Sequence, residues 1–124
     1  DLVSKEIVSS TVSKIYNSIT GISQYNLEHI NELLEEFDLY KKIEIVESIF
    51  ENNILDITKK TFNIALNNLH EISEKISLEL EILKNDIEHS KTLYLKNFKY
   101  IKILENLKRH SKILDNRLDL FLKL

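Results

Sequence analysis

Among its 124 residues the chain carries no proline and a single glycine, Gly21. Glycine reaches positive φ without steric cost and proline presets φ in turns, so a chain nearly devoid of both can make few tight reversals. Ordinary globular usage is about 7% Gly and about 5% Pro. Long helices joined by few connections are what such a sequence can build, because sheets and short-looped folds would need far more of these residues. A hydrophobic content of 43% supports a buried core, and the length suits one core, not two.

Apolar spacing points the same way. Val8, Val12, Ile15, Ile19 and Ile22 repeat at intervals of four and three, one stripe of a helix starting at about residue 3. Gly21 costs about 1 kcal/mol relative to Ala within a helix, yet Leu27, Ile30, Leu34 and Phe37 resume a similar spacing beyond it. This stretch is either one kinked helix to about residue 36 or two helices hinged near Thr20–Ser23. Asp38 is a candidate N-cap for a short helix carrying Tyr40, Ile43, Val46 and Phe50, with Asn52 and Asn53 ending it and Asp56 capping the next.

From there a heptad seam runs through Phe62, Leu66, Leu69, Ser73, Ile76, Leu80, Leu83, Ile87, Ser90 and Tyr94, apolar at eight of ten positions. The same frame would next bring Asn97, Lys108 and Asp115 onto the seam. Tyr100, Leu104, Leu107, Ser111, Leu114, Leu118 and Phe121 restore it in a shifted phase, so a break is expected near Glu88–Thr92 with Ser90 as a candidate cap. The expected fold is all-α: an up-and-down four-helix bundle with long helices at about 2–36, 39–51, 56–88 and 91–122. Its rival is an extended coiled-coil dimer in which 56–122 is one helix about 100 Å long.

Residues 1–124 read as one helical-bundle domain. With no Met anywhere and Asp at position 1, it is expected to be a fragment of a longer protein or a processed product. Absence of Cys removes disulfides and thiolate metal sites and leaves the redox compartment open. No apolar run approaches the roughly 18 residues of a membrane span. Residues 1–23 also lack the basic start and apolar block of a signal peptide.

Helical bundles can host metals, phosphotransfer and nucleolytic chemistry, and each has diagnostic residues. His29, His70, His89 and His110 lie on separate segments, and the residues three before them are Asn26, Asn67, Asp86 and Leu107, none the Glu that carboxylate-bridged di-metal bundles require. No His is followed by the Lys-Gly pair of phosphotransfer bundles, and none has the Arg four to six residues upstream found in helical RNA-cleaving bundles. One glycine cannot build a phosphate-cradling loop. Structural, hydrogen-bonded or solvated roles are expected for all four histidines, and no catalytic residue, cofactor or metal is assigned.

Charge is unevenly spread: residues 1–53 hold four Lys and ten acids, and 54–124 hold thirteen Lys or Arg and ten acids. Between 28 and 51, Glu28, Glu32, Glu35, Glu36, Asp38, Glu44, Glu47 and Glu51 oppose only Lys41 and Lys42, a net −6. Residues 91–112 carry seven Lys or Arg against one Glu, a net +6. At 100° per residue Lys91, Lys99, Lys102 and Arg109 fall within about 80° of one another, a basic face, while Tyr100, Ile103, Leu104 and Leu107 point elsewhere, toward packing.

Complementary flanking charges choose helix partners and orientation more than they hold a fold, since exposed pairs contribute only about 0–1 kcal/mol each. The expected function is therefore non-catalytic: a structural or protein–protein interaction module that binds a protein partner or itself by burying apolar helix stripes, with the acidic 28–51 and basic 91–112 surfaces fixing which helices meet. Its acidic face is assigned to Glu28, Glu32, Glu35, Glu44 and Glu47, and its basic face to Lys91, Lys99, Lys102 and Arg109. Two alternatives rank below it. One is an extracytoplasmic four-helix sensor domain of a membrane receptor. The other is nucleic-acid or anionic-membrane binding through the basic face, which the net charge of −3 disfavours.

Overall fold

Ser4 opens the first helix. In the computed structural model its backbone is extended and its hydroxyl accepts the Ile7 amide at 3.2 Å, satisfying one of the free N–H groups of the first turn. The structure describes residues 2–52, 60–90 and 98–124, with the side chains of 52, 98 and 99 left out of the description. Among these residues the order is α1 (Lys5–Ser23), α2 (Glu28–Phe37), α3 (Leu39–Asn52), α4 (Lys60–His89) and α5 (Phe98–Leu122).

Of the two readings of this stretch, one kinked helix or two helices hinged near Thr20–Ser23, the structure has two helices, and α1 ends at Ser23. Gly21 itself stays helical within α1; the helix ends at Ser23, and beyond it Asn26 adopts φ 53° with its amide bonding the Ser23 carbonyl. Asparagine tolerates this left-handed conformation better than other side-chain-bearing residues. Gly21 instead makes room: a Cβ there would stand 2.6 Å from Cε of Lys84, which crosses it from α4.

Asp38 also differs from expectation. It sits in the left-handed region at φ 53°, ψ 36°, donates its amide to the Glu35 carbonyl, and so terminates α2. Its own carbonyl accepts the Lys42 amide at 3.2 Å as α3 begins. The new phase brings Leu39, Ile43, Val46 and Phe50 into the core and leaves Tyr40 51% exposed, against the Tyr40 stripe read from spacing. Asn53 and Asp56 lie outside the described residues.

Cross-helix contacts give the directions. Lys5 reaches the Glu51 carbonyl and Tyr16 stacks on Tyr40, so α1 and α3 are antiparallel. Val3 bonds Asn67, Thr11 meets His70, and Gly21 meets Lys84, so α1 and α4 are parallel neighbours. Tyr100 donates to the Asp86 carbonyl, Arg117 bonds Glu71 and Phe121 packs on Phe62, so α5 folds back antiparallel along α4. That return removes the rival single helix through 56–122. Phe37 meets Ser111 and Lys42 meets Asp115, so α2 and α3 together form one leg parallel to α5. The bundle has four legs, α1, α2–α3, α4 and α5, alternating in direction along the chain.

All seven positions of the shifted seam on α5 are buried, from Tyr100 to Phe121. On α4 Leu66, Leu69, Ser73, Ile76, Leu80, Leu83 and Ile87 are buried, and Ile72, His70 and Ser77 widen the stripe. A two-column seam serves a pair of helices, whereas α4 must cover both α1 and α5. No described helix is long and apolar enough to cross a membrane.

Candidate interaction surface

Three polar joints hold the legs in register. Lys42 of α3 extends beneath the α2–α3 corner, where Nζ donates to the Phe37 carbonyl at 2.6 Å and to Ser111 Oγ at 3.0 Å, and pairs with Asp115 at 2.8 Å. Ser111 Oγ donates to the same Phe37 carbonyl at 3.0 Å. The left-handed Asp38 leaves a carbonyl of the last α2 turn to be satisfied from outside the helix, and a cation and a hydroxyl from two other segments do so. Sequence reasoning counted Lys42 only as a minor charge in an acidic block. The signal for its role was Ser111, a hydroxyl on an otherwise apolar seam.

At the second joint Nδ1 of His110 on α5 pairs with Oε1 of Glu79 on α4. Both side chains are largely withdrawn from water. Burial raises the Glu79 carboxyl above its usual range, with Arg109 and Lys75 pulling it partly back. Burial also lowers the His110 imidazole, and Arg109 and Lys75 add to that effect. The close contact invites an ion pair, whereas desolvation disfavours charge on either partner. Desolvation is the larger effect: among the described residues Glu79 Oε2 is buried without a hydrogen bond.

At the third, His70 is buried, with Nε2 3.2 Å from Thr11 Oγ1 and Nδ1 3.7 Å from Glu74. Thr11 Oγ1 donates its single proton to the Ile7 carbonyl at 3.1 Å, so the imidazole supplies the proton between them. His89 contacts the Asn85 carbonyl and His29 is exposed. Among the described residues no three His, Asp or Glu side chains gather as metal ligands.

The acidic and basic faces stand outside these joints. Glu28, Glu32, Glu35 and Glu44 are exposed and Glu47 is half-buried. The acidic field is felt at Tyr16, whose hydroxyl is pushed up to about 12 by burial first, then by Glu47 and Glu44. On α5 Lys102 and Arg109 are exposed, and Arg109 contacts Asn106 of its own helix at 3.4 Å. Lys91 and the Lys99 side chain lie outside the described residues. Among the described residues no ion pair joins Glu28, Glu32, Glu35, Glu44 or Glu47 to Lys102 or Arg109, although α2 and α5 are neighbours.

Between those helices runs a groove that spacing did not reveal. Leu33 and Phe37 of α2 and Ile101 and Leu104 of α5 form its floor, with Ile101 42% exposed. His29, Glu105 and Lys108 stand at its rim. Leu33 beside Leu34, and Ile101 outside the shifted seam, are apolar residues off their stripes, and they were the available signal. Comparison of the chain with protein-family models, curated proteins and solved structures finds no match in any of the three.

Proposed function

We propose that this chain is a non-catalytic helical interaction module whose acidic α2–α3 surface and basic α5 surface engage a protein partner or a second copy. The observation that carries the reading is that, among the described residues, Glu28, Glu32, Glu35, Glu44 and Glu47 on one leg and Lys102 and Arg109 on the adjacent leg form no ion pair with one another. The apolar stripes expected to drive assembly are buried in the chain's own core, so association falls to the charged faces and to apolar residues left exposed, Ile101 among them. Steering by complementary charge sets which surfaces meet, and local apolar burial adds residence time.

The test is cross-linking with mass spectrometric mapping, on the purified chain and on the chain in an extract of its source. Intermolecular links should map to 28–47 and 102–112 and disappear in Glu32→Lys/Glu44→Lys and in Lys102→Glu/Arg109→Glu variants that keep their helicity. A chain with no intermolecular links, or with links indifferent to both reversals, contradicts the proposal.

A further inference from the structure

We propose that the α2–α5 groove is a homodimer interface in which a second copy docks about a twofold axis running along the groove. The inference rests on the interaction-module reading above and names the partner.

One wall of the groove is α2, which bears Glu28, Glu32, Glu35 and Glu36 and no Lys or Arg. With 100° per residue, Glu36 lies about 60° and Glu32 about 100° from Leu33, on the side away from the buried Ile30 and Leu34. The other wall is α5, where Lys102, Lys108, Arg109 and Lys112 are exposed and Glu105 is the acid among them. Lys112 and Lys108 each fall within about 20° of Ile101, and Arg109 and Lys102 follow at about 80–100°. Outside a rim of His29, Glu105 and Lys108, the apolar floor thus lies between an acidic helix and a mainly basic one.

A twofold rotation about the groove axis exchanges left and right walls as it turns the second copy face to face. The acidic α2 of each copy then covers the basic α5 of the other, twice, and the two floors close on each other. An isologous contact requires this self-complementarity. Ile101 and Leu33 gain apolar cover at the centre, with charges at the rim, the usual layout of a specific interface.

The groove between α1 and α4 exposes Ile7 and Leu78 but does not meet the same condition. Glu6 stands on its α1 side with Lys14, and Glu74 and Glu81 on its α4 side, so no rotation sets opposite signs against each other throughout. Of these two grooves, the α2–α5 groove is the one flanked by helices of opposite sign.

The test uses two charge-reversed chains and sedimentation equilibrium at low salt. One carries Lys108→Glu and Arg109→Glu, and the other Glu32→Lys and Glu36→Lys. In each alone the reversed residues set like charges against the unchanged wall of the other copy, and self-association should fall at least about tenfold. Mixed, they should form a one-to-one heterodimer of wild-type affinity, because acidic walls again face basic ones. Circular dichroism on each chain confirms that helicity is kept. Wild-type chain that stays monomeric, reversed chains that dimerise as wild type does, or a mixture that fails to recover association would each overturn the inference. A monomeric wild-type chain that still cross-links to another protein through the same faces would sink the dimer and leave the interaction module standing.

Discussion

Lys42 connects three helices of the bundle, α2, α3 and α5, from a position that charge counting treats as incidental. Its ammonium is largely buried against the Phe37 carbonyl, Ser111 and Asp115. Lys42→Ala should cost about 1.5–3 kcal/mol, the range for a buried hydrogen bond to a charged group. Asp115→Asn, at the more exposed end, should cost under about 1 kcal/mol. Urea denaturation of both variants checks the order, and equal costs would mean that the carbonyl and hydroxyl contacts add nothing. Glu79 gives a second residue-scale prediction through pH. Its folded value is raised, so the stability of its neutral form is complete below the ordinary 4.5 and is lost as pH rises through the raised value. The lowered His110 acts oppositely: its contribution is complete above 6.5 and is lost as pH falls through the lowered value. Glu79→Gln removes the first effect, so melting temperatures should favour the variant more at about pH 7 than at about pH 4. A difference of equal size at both pH values would contradict the assignment.

At the scale of elements, α5 was almost fully legible and the α1–α2 region was not. Tyr100, Leu104, Leu107, Ser111, Leu114, Leu118 and Phe121 are buried because a seam of three and four is what an antiparallel neighbour covers. Gly21 drew the expected hinge because its propensity is poor, but its missing side chain serves Lys84, a tertiary contact with no local trace. The real interruptions are left-handed residues, Asn26 and Asp38, and the second resets the phase so that Leu39 replaces Tyr40 in the core. Asp38 therefore carries a prediction. Asp38→Val, which places a β-branched residue at φ 53°, should cost about 1–2 kcal/mol, whereas Asp38→Gly should cost nothing. Equal losses for Val and Gly in chemical denaturation would mean that the carboxylate, and not the backbone, is what the junction needs.

For the whole molecule, the exposure of Glu28, Glu32, Glu35 and Glu44 on one leg and of Lys102 and Arg109 on another follows from helical spacing, which sorts charges by face without knowledge of neighbours. That α2 joins α3 in one leg beside α5 could not be read so. The juxtaposition arises from the return of α4 onto α5 and the parallel course of α1 and α4, which depend on contacts far apart in sequence. It sets an acidic helix and a basic helix on either side of Leu33 and Ile101, and from it comes the central claim that the chain assembles through these faces. Opposite charges at a rim are screened beyond about 10 Å at 0.1 M salt, so such an assembly weakens as salt is raised. The direct measurement is the molar mass of the wild-type chain by light scattering after size exclusion, at low and at high ionic strength. Twice the chain mass of 14.6 kDa at low salt, falling toward 14.6 kDa at high salt, is the predicted result. A mass of 14.6 kDa at every salt and concentration would contradict it.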